Sequence, residues 1–407
     1  MEKNTVLETK KVKLSKGAKV LILDQGISKI ISIFLNTFLA AYFYKISEQN
    51  IFYLSTYNII SWIVATIAAF MVADRIKRKN KINLYRFGTV LEVLYIFMII
   101  VMKEKIVDYV WIMGIVVGVC TATTGFPFNM IESELISNDE RSKYLGYKSA
   151  GTELVGVLVP VLLGAYITFY SYEVAAILIL IFAILKLILS FYIQNQNVQA
   201  DKVNLKKFWE ILKQDLTLRK LYAIEFLKGF NRHGVMSLVV SLLIIYQTNS
   251  DLELGKWTSF FSLLTIIAMY LFGNYYNKSK KNKTLLFSAI PVLLSFIGIF
   301  FSINMTTVIL YNMSYYVFMN IILNVTDKDL FDYSNRELFK DKFNTEYFVF
   351  RELFLNIGRT LGYIMLLLFV GIPQNLGALN VLFAIIAISI ILTIIMSKNL
   401  KGDRNAN

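Results

Sequence analysis

Basic side chains lie far inside the longest apolar stretches of this sequence. Lys29 is about nine residues into the apolar segment 20–43 and Arg232 about eleven residues into 221–247, roughly 14–17 Å from one end of each as a helix. Arg359 is similarly deep in the segment 346–371. A charge at the centre of a bilayer costs roughly 2.5–3.5 kcal/mol, so such residues face water or a partner. Buried cations indicate either a site for an anion, such as a phosphate or carboxylate, or ion pairs within the protein.

Polar neighbours extend these positions into stripes along single helix faces. Gln25, Lys29 and Asn36 recur at helical spacing, and Tyr316 and Asn320 do so on a later segment. A polar stripe on an apolar helix faces protein or a water-filled cavity. For Tyr316 and Asn320, helix–helix packing is the alternative. The residues predicted to bind a substrate are Lys29, Arg232, Arg359, Gln25, Asn36, Asn320 and Tyr316.

Carboxyl groups in the apolar segments are candidates for carrying protons. The predicted proton-coupling residues are Glu153, Asp24, Glu225 and Glu92. A buried carboxyl can bind a proton near neutral pH and release it when its surroundings change. The alternative is a static ion pair, in which Asp24, Glu153 or Glu225 neutralises Lys29. We interpret Lys186 as reaching the membrane surface along its aliphatic stem.

Catalytic and cofactor motifs are missing from the sequence. It has no Walker loop, no HExxH pattern and no Gly-x-Ser-x-Gly elbow. His233 is the only histidine and Cys120 the only cysteine, so neither a histidine-based metal site nor an intramolecular disulfide can be built. We therefore expect no enzyme activity, no bound cofactor and no metal site.

The apolar segments have the length of membrane spans. The chain has 407 residues, of which 56% are hydrophobic, and a span needs roughly 20 mostly apolar residues. The sequence predicts twelve transmembrane helices, at about 20–43, 52–73, 84–102, 108–130, 147–169, 172–194, 221–247, 257–276, 284–304, 306–326, 346–371 and 376–397. We expect an all-α membrane protein in contact with the lipid bilayer.

Charge distribution predicts how the helices are oriented. The formal net charge is +14, and most of the 42 Lys and Arg residues fall in loops on one side of the predicted bundle. This bias is typical of cytoplasmic loops, so both termini are predicted to be cytoplasmic. It also explains the charge without nucleic-acid binding. Residue usage favours a bacterial plasma membrane, and we expect a multi-pass protein that functions as a monomer.

The sequence repeats itself. A shift of 203 residues aligns Gly26 with Gly229, Lys29 with Arg232, Asp74 with Asn277 and Lys148 with Arg351, while Asn129 aligns with Asn324 at a shift of 195. Two related halves are typical of transporters built from parallel repeats. The predicted units are a six-helix bundle at 1–198, an amphipathic linker at 199–217 along the cytoplasmic face, and a second bundle at 218–407.

A loop motif carries a family resemblance. After the second span the chain reads Asp74-Arg75-Ile-Lys-Arg78-Lys, and after the eighth it reads Asn277-Lys278-Ser-Lys-Lys. With twelve spans in two parallel halves, this resembles the major facilitator superfamily, although Phe70 and Lys77 replace two glycines of its loop pattern. The resemblance implies that Asp74, Arg75, Arg78, Asn277 and Lys278 belong to the loops that control the conformational switch. The alternative for the basic residues is that they only set topology.

The resemblance also bears on the substrate. Arginines on the first and seventh helices are a feature of organophosphate–phosphate antiporters, which this chain is similar to except that Lys29 replaces one arginine. Lysine lacks the two-pronged fork of arginine, so phosphate need not be the substrate. The chain also resembles a bacterial branch of YQGE-type putative permeases.

These patterns predict a secondary transporter. It would work by alternating access, coupled to protons, on a small and possibly anionic solute. Two alternatives remain: an exporter or flippase of an amphipathic, lipid-like compound, and a non-transporting membrane sensor or assembly partner.

Overall fold

The computed structural model describes residues 14–78, 81–193, 202–232, 234–373, 378–398 and 400, and in these ranges the regular structure is helical. The helices are α1 Lys16–Ile46, α2 Ile51–Arg78, α3 Lys81–Met102, α4 Val110–Leu135, α5 Asn138–Phe169, α6 Tyr172–Ser190, α7 Leu205–Gln214, α8 Leu216–Gly229, α9 Val235–Thr248, α10 Asp251–Tyr275, α11 Lys281–Phe301, α12 Met305–Ser334, α13 Asn344–Gly371 and α14 Leu379–Lys398. The predicted all-α membrane fold is confirmed. Parts of the predicted termini, the domain boundary at 198 and His233 lie outside the described residues.

Ten helical runs of the described chain are long and apolar enough to cross a membrane. One of them, 81–132, holds both α3 and α4, which are joined by the short turn Lys103–Tyr109. The count of ten leaves out the seventh predicted span, which is divided into α8 and α9. The multi-pass prediction therefore holds, while the number twelve stays a prediction.

The prediction of one continuous helix at 221–247 is wrong, because the chain leaves helical geometry between Gly229 and Val235. Gly229 packs against Gly358 of α13 so closely that a Cβ on either residue would overlap backbone of the other helix. Small residues permit such close crossings in membranes. The break therefore begins where α8 is pinned to α13.

The predicted end of the tenth span, at residue 326, is too early. The sequence predicts a charged cytoplasmic connection at 327–345 that is helical in part. In the structure α12 continues without interruption to Ser334, with a π-helical stretch at Tyr315–Met319. The charged residues after 326 misled the prediction, because they are paired inside the protein. Asp327 is therefore part of a membrane helix.

The two halves meet along two helix pairs. α5 packs against α10, where the Val161 backbone N–H donates to Ser259 (3.1 Å), and α2 packs against α13, where the rings of Phe70 and Phe350 lie 5.8 Å apart. The amphipathic helix α7 buries Phe208 in an aromatic cluster with α8 and α13. We call the end of the bundle that carries α7 the linker end and the opposite end the far end.

The far end is closed. The far half of α1, including Phe38 and Tyr44, is buried in the same apolar cluster as Val239 and Leu243 of α9. Lys45 and Asp251 bridge the halves there with an ion pair of 2.6 Å. At the linker end the apolar clusters are instead largely separate for the two halves.

The crossing of α8 and α13 gives a first testable prediction. Gly358→Ala should lower the melting temperature in detergent, because the added methyl group overlaps the Phe226 carbonyl and overpacking costs about 1–3 kcal/mol. Gly273→Ala on α10 is the matched control, since a methyl group added there would have no packed neighbour within 4 Å. Equal melting temperatures for the two variants would contradict the tight crossing.

Candidate functional site

A water-accessible cavity of about 560 Å³ lies between the halves, within the usual size range of ligand pockets. Its walls come from α1, α2, α4 and α5 of the first half and from the chain of the second half between α8 and α13. Much of the lining is polar. It includes Lys29, Asn36, Asn58, Ser61, Thr121, Arg232, Ser241, Thr258, Tyr316, Asn320 and Asn324.

Lys29 projects into this cavity from α1. The residue is exposed, and no ion pair or hydrogen bond of its side chain is found in the described part of the chain. Two carboxylates that were predicted as alternative partners of Lys29 contact other residues instead. Asp24 accepts a hydrogen bond from Tyr85, and Glu225 contacts Lys228 and Arg351. Water in the cavity is what keeps this ammonium group solvated.

Arg232 reaches the same cavity from the break between α8 and α9. Its Nη1 donates to both carboxylate oxygens of Asp327 at 2.7 and 2.6 Å, and 31% of its side chain is exposed. Asp327 also accepts from Lys228 at 2.5 Å. Sequence reasoning missed Asp327, because it assigned this residue to the cytoplasmic connection at 327–345. The signal was that the tenth apolar segment ends directly before Asp327 and can continue as a helix.

The second half thus contains a connected charge network. Four cations face three carboxylates in it: Lys228, Arg232, Arg351 and Arg359 with Glu225, Asp327 and Glu352. Its formal surplus is one positive charge. Glu225 is only 1% exposed and contacts two cations of this network.

Arg359 lies behind the cavity wall. The residue is 5% exposed, donates to the backbone oxygen of Arg232 at 2.9 Å and to Asn356 at 2.6 Å, and stacks over Trp62 of the other half at 4.1 Å. The predicted direct contact of Arg359 with substrate therefore has no support in this geometry. Its contacts instead fix the position of the break that carries Arg232.

Three other predicted binding residues line the cavity. Asn36 lies in a π-helical stretch of α1 and donates to Ser32 at 2.8 Å, while Asn320 donates to the backbone oxygen of Tyr316 at 2.7 Å. Tyr316 lies in the π-helical stretch of α12. Such distortions of α-helices are frequent at functional sites.

A side chamber of about 330 Å³ lies beside the central cavity within the first half. The two spaces share Ser32, Asn36 and Thr121 in their walls. Gln25 lines the chamber rather than the central cavity. The interpretation of Lys186 as a surface-seeking lysine is wrong, since it is 4% exposed and its Nζ contacts Glu92 at 2.7 Å in this chamber.

The predicted proton-coupling residues occupy different surroundings. Asp24 and Glu92 are buried near the side chamber. Glu153 is exposed, on the same face of α5 as the cavity residues Gly156 and Pro160 and one turn nearer the linker end. Its position at the cavity mouth leaves it in water, so it does not have the buried environment that made it the first candidate.

Polar and small residues continue from the cavity toward the linker end. Thr121 and Asn129 on α4 recur with Gly125 at intervals of four and are exposed. On α12 Asn324 continues from Asn320 in the same way. Asn129 and Asn324 are repeat mates, so the two halves present matching stripes. The cavity therefore opens at the linker end.

The predicted switch loop after α2 joins the linker and α13. Asp74 accepts from the backbone N–H of Val203 at 3.3 Å. Lys77 donates to both oxygens of Glu346 at 2.8 and 3.0 Å, and the Asn204 N–H reaches the same carboxylate at 2.8 Å. Arg75 is exposed.

The equivalent loop after α10 makes a local turn, in which Asn277 accepts from the Ser279 N–H at 3.0 Å. The side chains of Arg78 and Lys278 lie outside the described residues. Sequence reasoning attributed only topology to Lys77 and missed Glu346, which lies at the start of α13.

Comparison with known proteins identifies the family. The family model described as Major Facilitator Superfamily matches residues 20–336. The chain belongs to this superfamily. It is therefore a multi-pass membrane transporter of the facilitator fold and not an enzyme, and its partners are a lipid bilayer and a small substrate.

Relatives of this facilitator agree with that assignment. It is 24% identical over 382 residues to the uncharacterized protein YqgE of Bacillus subtilis (strain 168), covering 91% of this chain and 88% of the relative. Its fold is similar to a bacterial homologue of the iron transporter ferroportin in an inward-facing state (TM-score 0.67, 12% identity, 96% and 99% coverage). A bacterial metal transporter is also similar (TM-score 0.61, 12% identity, 96% and 100% coverage).

The direction of opening can be tested by thiol labelling. In a chain with Cys120→Ala, Asn129→Cys and Asn324→Cys should react with a polar maleimide in detergent at least about tenfold faster than Val239→Cys. The first two positions are exposed along the stripes, whereas Val239 is 1% exposed at the closed far end. Mass spectrometry gives the rates, and similar rates at all three positions would contradict the one-sided opening.

Proposed function

We propose that this facilitator is a secondary active transporter of a small anionic solute, coupled to protons, that works by alternating access. The observation that carries the proposal is the meeting of Lys29 and Arg232 in the walls of one cavity. They are repeat mates from different halves, so an anion bound between them would connect the two moving bundles.

Charge favours an anion over other cargo. Lys29 has no counter-ion in the described residues, and the network around Arg232 has one more cation than it has carboxylates. A bound anion would be attracted by both surpluses, and a dianion would neutralise them. Because Asp327 occupies one edge of the Arg232 guanidinium, the cargo meets the remaining N–H donors together with the ammonium of Lys29. Carboxylates and phosphates both satisfy that geometry.

Metal cargo has less support. The two solved structures of similar fold are a bacterial homologue of an iron transporter and a bacterial metal transporter, and metal transport is a property of those proteins. In the described part of this chain, no group of three or more His, Cys, Asp or Glu side chains could hold a metal ion. The central cavity of this facilitator instead presents a lysine and an arginine.

The polar walls also favour a water-soluble solute over a lipid. Amide and hydroxyl groups of Asn36, Asn58, Ser61, Asn320 and Thr258 surround the central space. Each needs a hydrogen-bonding partner when the cavity closes and water leaves. An acyl chain cannot supply one, whereas an organic anion with further polar groups can.

Alternating access needs one set of contacts to open as another forms. At the far end the closing contacts are the apolar cluster of α1 with α9 and the Lys45–Asp251 pair. At the linker end the Lys77–Glu346 pair joins the halves on one side. By the positive-inside bias, the linker end with both termini faces the cytoplasm of a bacterial cell, and the cavity within one chain suits a functional monomer.

Substrate binding by the two cations can be tested in liposomes. Under an imposed pH gradient, wild type should accumulate at least one labelled solute from a panel of inorganic phosphate, organic phosphates and carboxylates. Arg232→Gln and Lys29→Gln should each raise the solute concentration that gives half-maximal uptake about 10- to 100-fold, because a charged hydrogen bond contributes about 1.5–3 kcal/mol. Lys256→Gln is the control, as that lysine is exposed and its ion-pair partner among the described residues is Glu253. No flux in wild type, or equal flux in all variants, would refute the anion site.

The Lys45–Asp251 ion pair at the far end gives a further prediction. Lys45→Gln should increase thiol labelling of Val239→Cys several-fold, because an ion pair that is partly exposed contributes about 1 kcal/mol or less to the closed state. Exchanging the charges with Lys45→Asp and Asp251→Lys should restore slow labelling. Lys256→Gln again serves as the control, and an unchanged rate in Lys45→Gln would show that the pair does not hold the far end shut.

A further inference from the structure

Two carboxylates in the first half share one lysine. Glu92 of α3 contacts Lys186 of α6 at 2.7 Å. Asp24 of α1 lies within electrostatic range of the same lysine, but no cation of the described residues reaches its carboxylate within ion-pair distance. The Tyr85 hydroxyl lies 2.8 and 2.7 Å from the two oxygens, and Ser28 on the same helix is a second hydroxyl beside the carboxylate.

The burial of Asp24 makes this arrangement costly for a charged carboxylate. Asp24 is 0% exposed and Tyr85 is 1% exposed. An ionised carboxylate in such surroundings needs a paired cation or several donors, and otherwise takes up a proton. The carboxylates of the second half differ, because Glu225 and Asp327 each contact two cations.

The surroundings contain no further base that would neutralise Asp24. Titratable groups from four other helices interact with Asp24 or with its partners, and Ser28 adds a hydroxyl on α1 itself. These groups are Tyr85 and Glu92 on α3, Cys120 on α4, Tyr144 on α5 and Lys186 on α6. Lys186 is the single cation among them. The cluster as described therefore balances only when one of its two carboxyl groups is protonated.

The side chamber gives protons a route to this cluster. Glu92, Lys186 and Tyr85 line the chamber, which adjoins the open central cavity at their shared wall residues Ser32, Asn36 and Thr121. Water can thus exchange protons with the cluster in the present state. Both cavity and cluster depend on α1, which carries Lys29 on the turn after Asp24 and has a π-helical stretch beyond it. Movement of α1 during the cycle would change the distance from Asp24 to Tyr85 and Lys186.

We propose that Asp24 is the proton-coupling residue of this transporter, with Glu92 and Lys186 as the ion pair that sets its charge. With the cavity open at the linker end, a proton from chamber water binds a carboxylate oxygen of Asp24 while Lys186 stays with Glu92. When α1 moves, Lys186 becomes shared by both carboxylates and the same proton returns to water. This assignment rests on the proposed function and specifies the site of its coupling.

Infrared titration tests the site without any cargo. In detergent-solubilised wild type, difference spectra between high and low pH should show a protonated-carboxyl band that is absent in Asp24→Asn. Glu132→Gln is the control and should keep the band, because Glu132 has its own lysine, Lys148, at 2.6 and 2.7 Å. Tyr85→Phe should keep the band but show it already at higher pH, since the charged carboxylate loses its donor. A band that persists in Asp24→Asn would overturn the assignment.

Transport separates this assignment from the anion site. The probe is labelled inorganic phosphate, or whichever solute of the panel the wild type transports. Asp24→Asn should retain exchange of this solute across the membrane without a pH gradient. Its accumulation driven by a pH gradient should fall at least tenfold below that of wild type. Full accumulation in Asp24→Asn would overturn the assignment while leaving the anion site intact. If wild type moves no anion but the infrared band depends on Asp24, the anion site fails and the proton site stands.

Discussion

A cation without a counter-ion cannot remain inside a bilayer unless water reaches it, and Lys29 imposes this requirement on the whole bundle. Its ammonium has no partner in the described residues, so the space between the halves must be wet as far as the middle of α1. Opening at the linker end meets this requirement. The same requirement explains the polar walls, because every helix that faces this water can expose amides and hydroxyls at little cost.

The break in the seventh span places Arg232 opposite Lys29. Tight crossing at Gly229 and Gly358 fixes the end of α8, and Arg359 holds the carbonyl of Arg232 at 2.9 Å. Arg359 also stacks on Trp62 of the first half. A displacement of the break would therefore also move Arg359 against α2. This contact couples the position of Arg232 to the interface between the halves. Discontinuous helices form the binding sites of many transporters.

Much of the fold could be predicted because the hydropathy of the sequence shows both the membrane spans and the internal repeat. The repeat alignment alone paired Lys29 with Arg232. Features that depend on tertiary contacts could not be predicted. Asp327 was assigned to a cytoplasmic connection, because its partners Lys228 and Arg232 are distant in the sequence. Lys186 looked like a surface-seeking lysine because Glu92 lies 94 residues away in the chain. Glu153 had a favourable helical face, but periodicity does not report whether that face lies in water or in the protein.

Charge balance also constrains the return of an empty transporter. If the cavity closed around Lys29 without an anion, its ammonium would lose water and gain no partner, a state that costs several kcal/mol per ion. Arg232 does not share this difficulty, since Asp327 stays with it as an internal anion. Lys29 thus makes the loaded state the one that can close. A transporter of this design should exchange one anion for another more readily than it cycles empty, and a neutral residue at position 29 would weaken that preference.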